Sequence, residues 1–290
     1  LSQGALVFGL GLLYDDGPVV MPAEALALGA AIGGIGVVWV ENAANDDFTI
    51  WHAGQGFGTF GGACLAYDRG GDDVWFADPG TTGTVLYLST ADRGVSNRNL
   101  AQGAAFGEVG VFGGGLGMLR DASGADNYDA GTFGQGYGRG IAFAALADGG
   151  GNDTYNGRGL VQGVGEWRGA GALRDSAGSD NFNQSATQRL VGQGVGQTLG
   201  WGSFVDLGGD DAIQYLPSGG GVGIDGGVGL AINVGGSDTH IVASDASWGF
   251  AQIAANIGEP GYDEITLGVF LDSGSSTDTY SRPTLTGVGD

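Results

Sequence analysis

An acidic turn returns along most of this 290-residue chain, and its spacing limits what the chain can fold into. The clearest copy reads Asp148-Gly149-Gly150-Gly151-Asn152-Asp153-Thr154-Tyr155. The same frame appears as Asp68…Gly71…Asp73…Trp75, Asp121…Gly124…Asp126…Tyr128, Asp175…Gly178…Asp180…Phe182 and Asp206…Gly209…Asp211…Ile213. Further copies are Glu41…Asp46…Phe48 and Asn233…Gly236…Asp238…His240, and Asp272…Asp278…Tyr280 carries one inserted residue. An acid or amide is thus followed by Asp five positions on and by a bulky residue seven on. The steps 41 to 68, 121 to 148, 148 to 175 and 206 to 233 are each 27 residues, and 175 to 206 is 31. Gln-Gly pairs keep the same phase: Gln55, Gln135, Gln162 and Gln193 each stand 13 residues before the next Asp, and Gln3 stands 13 before Asp16. Steps of 53 residues (68 to 121) and 39 residues (233 to 272) mark disturbed coils. The first is expected to hide a degenerate copy at Asp92-Arg93-Gly94, which makes about ten coils in all.

A repeat of this length can be helical or β. With 64 glycines in 290 residues the helical choice fails, because each interior helical Gly costs about 1 kcal/mol relative to Ala. Alternation with period two is visible instead, as in Cys64-x-Ala66-x-Asp68, Gly171-x-Leu173-x-Asp175 and Gly202-x-Phe204-x-Asp206. Short strands bounded by Gly/Asp/Asn turns at constant spacing stack into a wound structure. The expectation is an all-β parallel β-helix, or β-solenoid, forming one domain over 1–290 with irregular coils at 78–117 and 241–269. Within 78–117 a loop is expected at Pro79-Gly80-Thr81-Thr82-Gly83, and within 241–269 a protruding loop with Trp248 and Glu259–Glu264.

Charge narrows the partners. The net charge of −22, with ten Arg and no Lys, argues against nucleic acid, which needs a basic footprint. The longest uncharged run, Ala25 to Val40, is too short and glycine-rich for a membrane span. A single cysteine, Cys64, sits in a small inward slot and reads as a packed thiol.

The acidic column is the main chemical signal. Stacking places equivalent residues roughly 4.8 Å apart, and like charges at that distance repel unless something compensates them. Two Asp per coil around a Gly turn offer the oxygen ligands that hard cations take. They can equally bond backbone amides two residues on, without any metal. The turn resembles the haemolysin-type (RTX) calcium-binding nonapeptide, Gly-Gly-x-Gly-x-Asp-x-hydrophobic-x, most closely at Gly149–Tyr155 and next at Gly70–Trp75 and Gly208–Ile213. The resemblance covers about eight residues per coil, since that family repeats its turn every nine residues. What it implies is Ca2+ held between turns by Asp73, Asp153, Asp211 and their equivalents. The candidate ligands are therefore Asp68, Asp73, Asp121, Asp126, Asp148, Asp153, Asp175, Asp180, Asp206 and Asp211. His52 and His240 are too few and too far apart in sequence to suggest a zinc site.

Two further columns run in phase. Gln55, Gln102, Gln135, Gln162 and Gln193 read as an amide ladder, each side chain reaching the next coil. Phe48, Trp75, Tyr128, Tyr155, Phe182 and Tyr280 read as a core stack, or else as an exposed platform for carbohydrate.

Two functional readings follow. The first is a non-enzymatic, calcium-stabilised structural, adhesive or assembly module, outside the cell, at its surface or in the periplasm. It would contact other protein chains through uncapped ends or edges, and cell-surface polysaccharide. The second is a carbohydrate-active β-helix enzyme, with the non-repeating Asp245, Asp263 and Glu264, and His240 nearby, as catalytic candidates.

Overall fold

The computed structural model describes residues 6–77, 98–183, 191–215, 217–242, 247–253 and 265–281. Among them there is no helix; the chain winds as a parallel β-solenoid of about eight turns with a period near 27 residues. Each regular turn contributes three short strands, one to each of three sheets that run the length of the stack. In the turn from Tyr137 to Gly159 these are Tyr137–Arg139, Phe143–Ala147 and Thr154–Gly159. Every strand pairs in parallel with its counterpart one turn away, so the sheets are built entirely from crossovers.

Strand composition follows burial. In the second sheet Ala63–Asp68 turns Cys64, Ala66 and Asp68 inward and Ala63, Leu65 and Tyr67 outward. Cys64 is buried in register between Gly36 and Gly117, as a packed thiol in a small slot. The main core lies where the second and third sheets face each other. There Leu119, Leu146, Leu173 and Phe204 meet Tyr128, Tyr155, Phe182 and Ile213.

The rungs approach so closely that the turn glycine admits no side chain. A Cβ on Gly178 (φ +147°) would lie 1.4 Å from the Gly151 carbonyl oxygen, and one on Gly209 would lie 1.2 Å from that of Gly178. The Gln-Gly corner is tight for a different reason: both residues are left-handed, with φ of 51° at Gln135 and 81° at Gly136. Glutamine tolerates that strain because its side chain is tied down on the inside of the corner.

Register corrects three readings of the repeat. The 53-residue step is one turn, since Asp68 pairs directly with Asp121 and no extra rung intervenes, and the expected ten coils are about eight. Its surplus divides between two insertions. Val74 to Ala104 spans 30 residues where Thr154 to Val164 spans 10, and Ala104 to Leu116 spans 12 where Tyr137 to Phe143 spans 6. The degenerate copy at Asp92-Arg93-Gly94 and the loop at Pro79–Gly83 lie outside the described residues, as does Gln3. In the second turn, Val40 rather than Glu41 stands opposite Asp68, and opposite Asp15 on the other side. Finally, Trp248 does not protrude: it packs against the core, and Trp248-Gly249 takes the Gln-Gly place of the last described corner, with φ of 55° and 72°.

The outer faces differ in character. Leu10, Ile35, Leu116, Phe143, Trp201 and Leu267 form one outward row across the second sheet, all exposed. On the third sheet the outward positions are mostly polar, among them Thr49, Asn127, Asn156 and Thr239.

The glycine column gives a paired test. Gly178→Ala is expected to cost on the order of 4 kcal/mol or more, because both backbone and neighbour must move. Gly110→Ala, also left-handed (φ +81°) but with nothing within 4 Å of its Cβ, should cost only about 1–2 kcal/mol. Chemical denaturation of the two variants measures the difference.

Candidate cation sites

Two columns of aspartate run down the inside of the turn between the second and third sheets. The outer ends of the second-sheet strands supply Asp68, Asp121, Asp148, Asp175 and Asp206; the entry to the third sheet supplies Asp46, Asp73, Asp126, Asp153, Asp180, Asp211 and Asp238. All twelve are buried. They are inside because the backbone needs them there. In the first column, Oδ1 accepts from the amide two residues on: Gly70 to Asp68 at 2.7 Å, Gly150 to Asp148 at 2.6 Å, Ala177 to Asp175 at 3.0 Å and Gly208 to Asp206 at 3.1 Å. In the second column, Oδ1 accepts from the backbone amide of the equivalent Asp one turn earlier. That ladder runs Asp46 to Asp73 (2.6 Å), Asp73 to Asp126 (2.7 Å), Asp126 to Asp153 (2.6 Å), Asp153 to Asp180 (2.7 Å), Asp180 to Asp211 (2.8 Å) and Asp211 to Asp238 (2.8 Å). Each carboxylate therefore satisfies an amide that would otherwise be an orphan donor at a sharp turn.

The second oxygen of each group is another matter. In the first column its fate depends on the ring one turn earlier in the third sheet. Trp75 Nε1 donates to Asp121 Oδ2 at 2.9 Å, Tyr128 Oη to Asp148 at 2.6 Å and Tyr155 Oη to Asp175 at 2.5 Å. Where the ring has no donor, as with Phe48 and Phe182, the oxygens of Asp68 and Asp206 are left without a partner. In the second column Oδ2 of Asp73, Asp126, Asp153, Asp180, Asp211 and Asp238 is likewise buried and unpartnered. The arginine ion pairs described lie away from both columns: Arg69 with Glu41, and Arg139 with Glu108 and Glu166.

The aspartates of the two columns gather in groups. Asp68, Asp73 and Asp121 form one cluster, Asp126, Asp148 and Asp153 a second, Asp153, Asp175 and Asp180 a third, and Asp180, Asp206 and Asp211 a fourth. Within each, the ligand oxygens lie within 4.8 Å of one another. All ten sequence-derived candidates fall in these four clusters. A fifth, Asp238, His240 and Asp272, was not among them, although the repeat frame passes through His240.

Burial dominates the electrostatics. Desolvation, with neighbouring carboxylates adding repulsion, pushes Asp126 up to about 10, Asp68 and Asp153 to about 9, and Asp121, Asp180 and Asp206 to about 8. For the same first reason Asp175 and Asp211 reach about 7, and Asp73 and Asp238 about 6. A buried unpaired ion costs several kcal/mol, and a folded domain is stable by only about 5–15 kcal/mol in total. The columns cannot all be ionised and bare; each cluster must hold protons, a cation or both.

The remaining sequence expectations fall as follows. The glutamine side chains are fully buried but bond mainly to backbone rather than to each other. Gln135 Nε2 donates to the carbonyls of Tyr128 (3.3 Å) and of Asn156 one turn on (2.9 Å); only Gln193 reaches another glutamine, Gln162, at 2.7 Å. The aromatic column is interior from Phe48 to Phe182, with Tyr128 and Tyr155 ring centroids 4.8 Å apart, so it is no exposed platform. Tyr280, in the last described rung, is half exposed. Asp245, Asp263 and Glu264 lie outside the described residues.

No protein-family model, curated protein or solved structure matches this chain. The likeness of the turn to the nonapeptide repeat therefore rests on the turn residues alone.

Two outcomes test the electrostatics. Phe182→Tyr should supply Asp206 with the donor that Tyr155 gives Asp175, raising stability by about 1–2 kcal/mol in denaturant titration without added cation. The folded groups titrate above the unfolded aspartate value near 3.9, so the fold binds more protons than the unfolded chain. Their contribution is fully present below about pH 4 and is lost as pH rises through 6 to 10. Cation-free melting temperature should thus fall steadily from pH 5 to pH 9; a rise over that range contradicts the assignment.

Proposed function

We propose that this chain is a non-enzymatic structural or assembly module whose wound β fold is completed by calcium. One observation carries the reading: eight buried aspartate oxygens, Oδ2 of Asp68, Asp73, Asp126, Asp153, Asp180, Asp206, Asp211 and Asp238, have no hydrogen-bond donor. The first seven of these residues belong to all-carboxylate clusters, which suit a hard divalent cation better than a softer one. Calcium would neutralise the clusters at neutral pH, where protons alone do so incompletely. Protonated carboxyls must give up their protons to bind it, so affinity rises with pH and binding releases acid. Modules outside the cell work with weak calcium sites because calcium is abundant there. This favours an extracellular, cell-surface or periplasmic setting, in which folding is completed after export.

The assembly part of the reading rests on the apolar outward row of the second sheet, which is larger than scattered surface residues would make it. Another protein chain laid on that face would bury it. No helix among the described residues is long and apolar enough to cross a membrane.

Calcium added to chelator-treated protein at pH 7.5 should raise the melting temperature by more than 10 °C and release protons into weakly buffered solution. Sedimentation of the same samples should show association that Phe143→Asp and Trp201→Asp reduce. Equal melting temperatures in calcium and in chelator would overturn the proposal.

A further inference from the structure

The fifth cluster differs from the other four in chemistry. Asp238 stands in the second aspartate column, but the position two residues on, held by Tyr128, Tyr155, Phe182 and Ile213 in earlier rungs, is His240. Its ring is fully buried and stacks on Tyr280 at a centroid distance of 4.8 Å. Nδ1 lies 3.1 Å from Tyr215 Oη, which fixes the ring from behind. Nε2 faces the cluster, 3.1 Å from Asp272 Oδ2 but outside hydrogen-bonding geometry. Asp238 Oδ2, on a side chain almost wholly buried, also points in without a donor. Tyr280 Oη donates to Asp272 Oδ2 from the far side.

We infer that Asp238, His240 and Asp272 form a site for one divalent transition-metal ion of the zinc or cobalt type, distinct from the all-oxygen clusters. An imidazole nitrogen with two carboxylates is the donor set such ions take, whereas hard cations prefer oxygen alone. The charges match as well: two carboxylates and a neutral imidazole balance one divalent ion, while the other clusters each bring three carboxylates. The Tyr215 hydroxyl plays the outer part common at histidine–metal sites, setting which ring nitrogen faces the ion. The site needs only the last rungs of the stack and does not depend on calcium elsewhere.

The test uses chelator-treated protein and Co2+ alone as the probe. Wild type should bind one equivalent with the visible d–d spectrum of a nitrogen-containing, low-coordinate site, and Zn2+ should displace it. His240→Phe places in the column the residue that Phe182 already provides, so it should fold normally by circular dichroism and lose that spectrum. Tyr215→Phe should keep the spectrum and weaken binding by roughly tenfold. The inference is overturned if wild type shows only the weak spectrum of all-oxygen coordination, or if His240→Phe binds Co2+ with unchanged spectrum and stoichiometry. Either result would mean that His240 serves only as a hydrogen-bonded member of the ring column. Cobalt bound as described but no calcium effect on melting would defeat the calcium proposal and leave this site standing.

Discussion

The fold depends on a bond between a backbone amide and a carboxylate one turn away. Each second-column aspartate takes the amide proton of its predecessor, so the sharp entry into the third sheet is held by side chains where strand pairing has not yet begun. Neutral amides could accept such bonds too. Asn42 Oδ1 accepts from the Ala44 amide, two residues on, at 2.6 Å. Repeated use of aspartate instead gives every turn an anionic group in the interior, and the stacking then brings those groups together. What tightens the corners is thus also what fills the core with ionisable groups.

Part of the compensation comes from within. Trp75, Tyr128 and Tyr155 each turn one edge to a carboxylate while their faces stack in the core, so a single column serves packing and electrostatics together. The two phenylalanines of the column interrupt this service, and the oxygens they fail to reach are among those that gather in clusters. Among the described residues no arginine forms an ion pair with either column; Arg139 is used beside the buried Glu166.

Much of this was legible in the sequence, because a wound stack converts spacing along the chain into proximity. Ten aspartates chosen by frame alone all fall into four clusters. The failures have equally physical origins. Frame counting placed Glu41 opposite Asp68, but register is set by the hydrogen-bonded strand, and Val40 ends that strand. Inserted residues leave strand pairing untouched, so a 53-residue step looked like two turns and is one. Glutamine does reach the next turn as expected, but mostly through backbone carbonyls rather than through the next glutamine's amide, because the left-handed corner aims it at the carbonyls on either side. His52 and His240 read as too few and too far apart in sequence to suggest a zinc site. Asp238 and Asp272, which gather around His240, come from its own turn and the next, a neighbourhood that the spacing of two histidines does not reveal.

One detail of the clusters reaches beyond any single turn. Asp153 belongs to two of them and Asp180 to two as well, so three consecutive clusters share their members. Each cluster is thus electrostatically coupled to the next through a carboxylate they have in common. Groups joined in this way influence one another's titration, so the column takes up protons over a wide range of pH rather than at a single value.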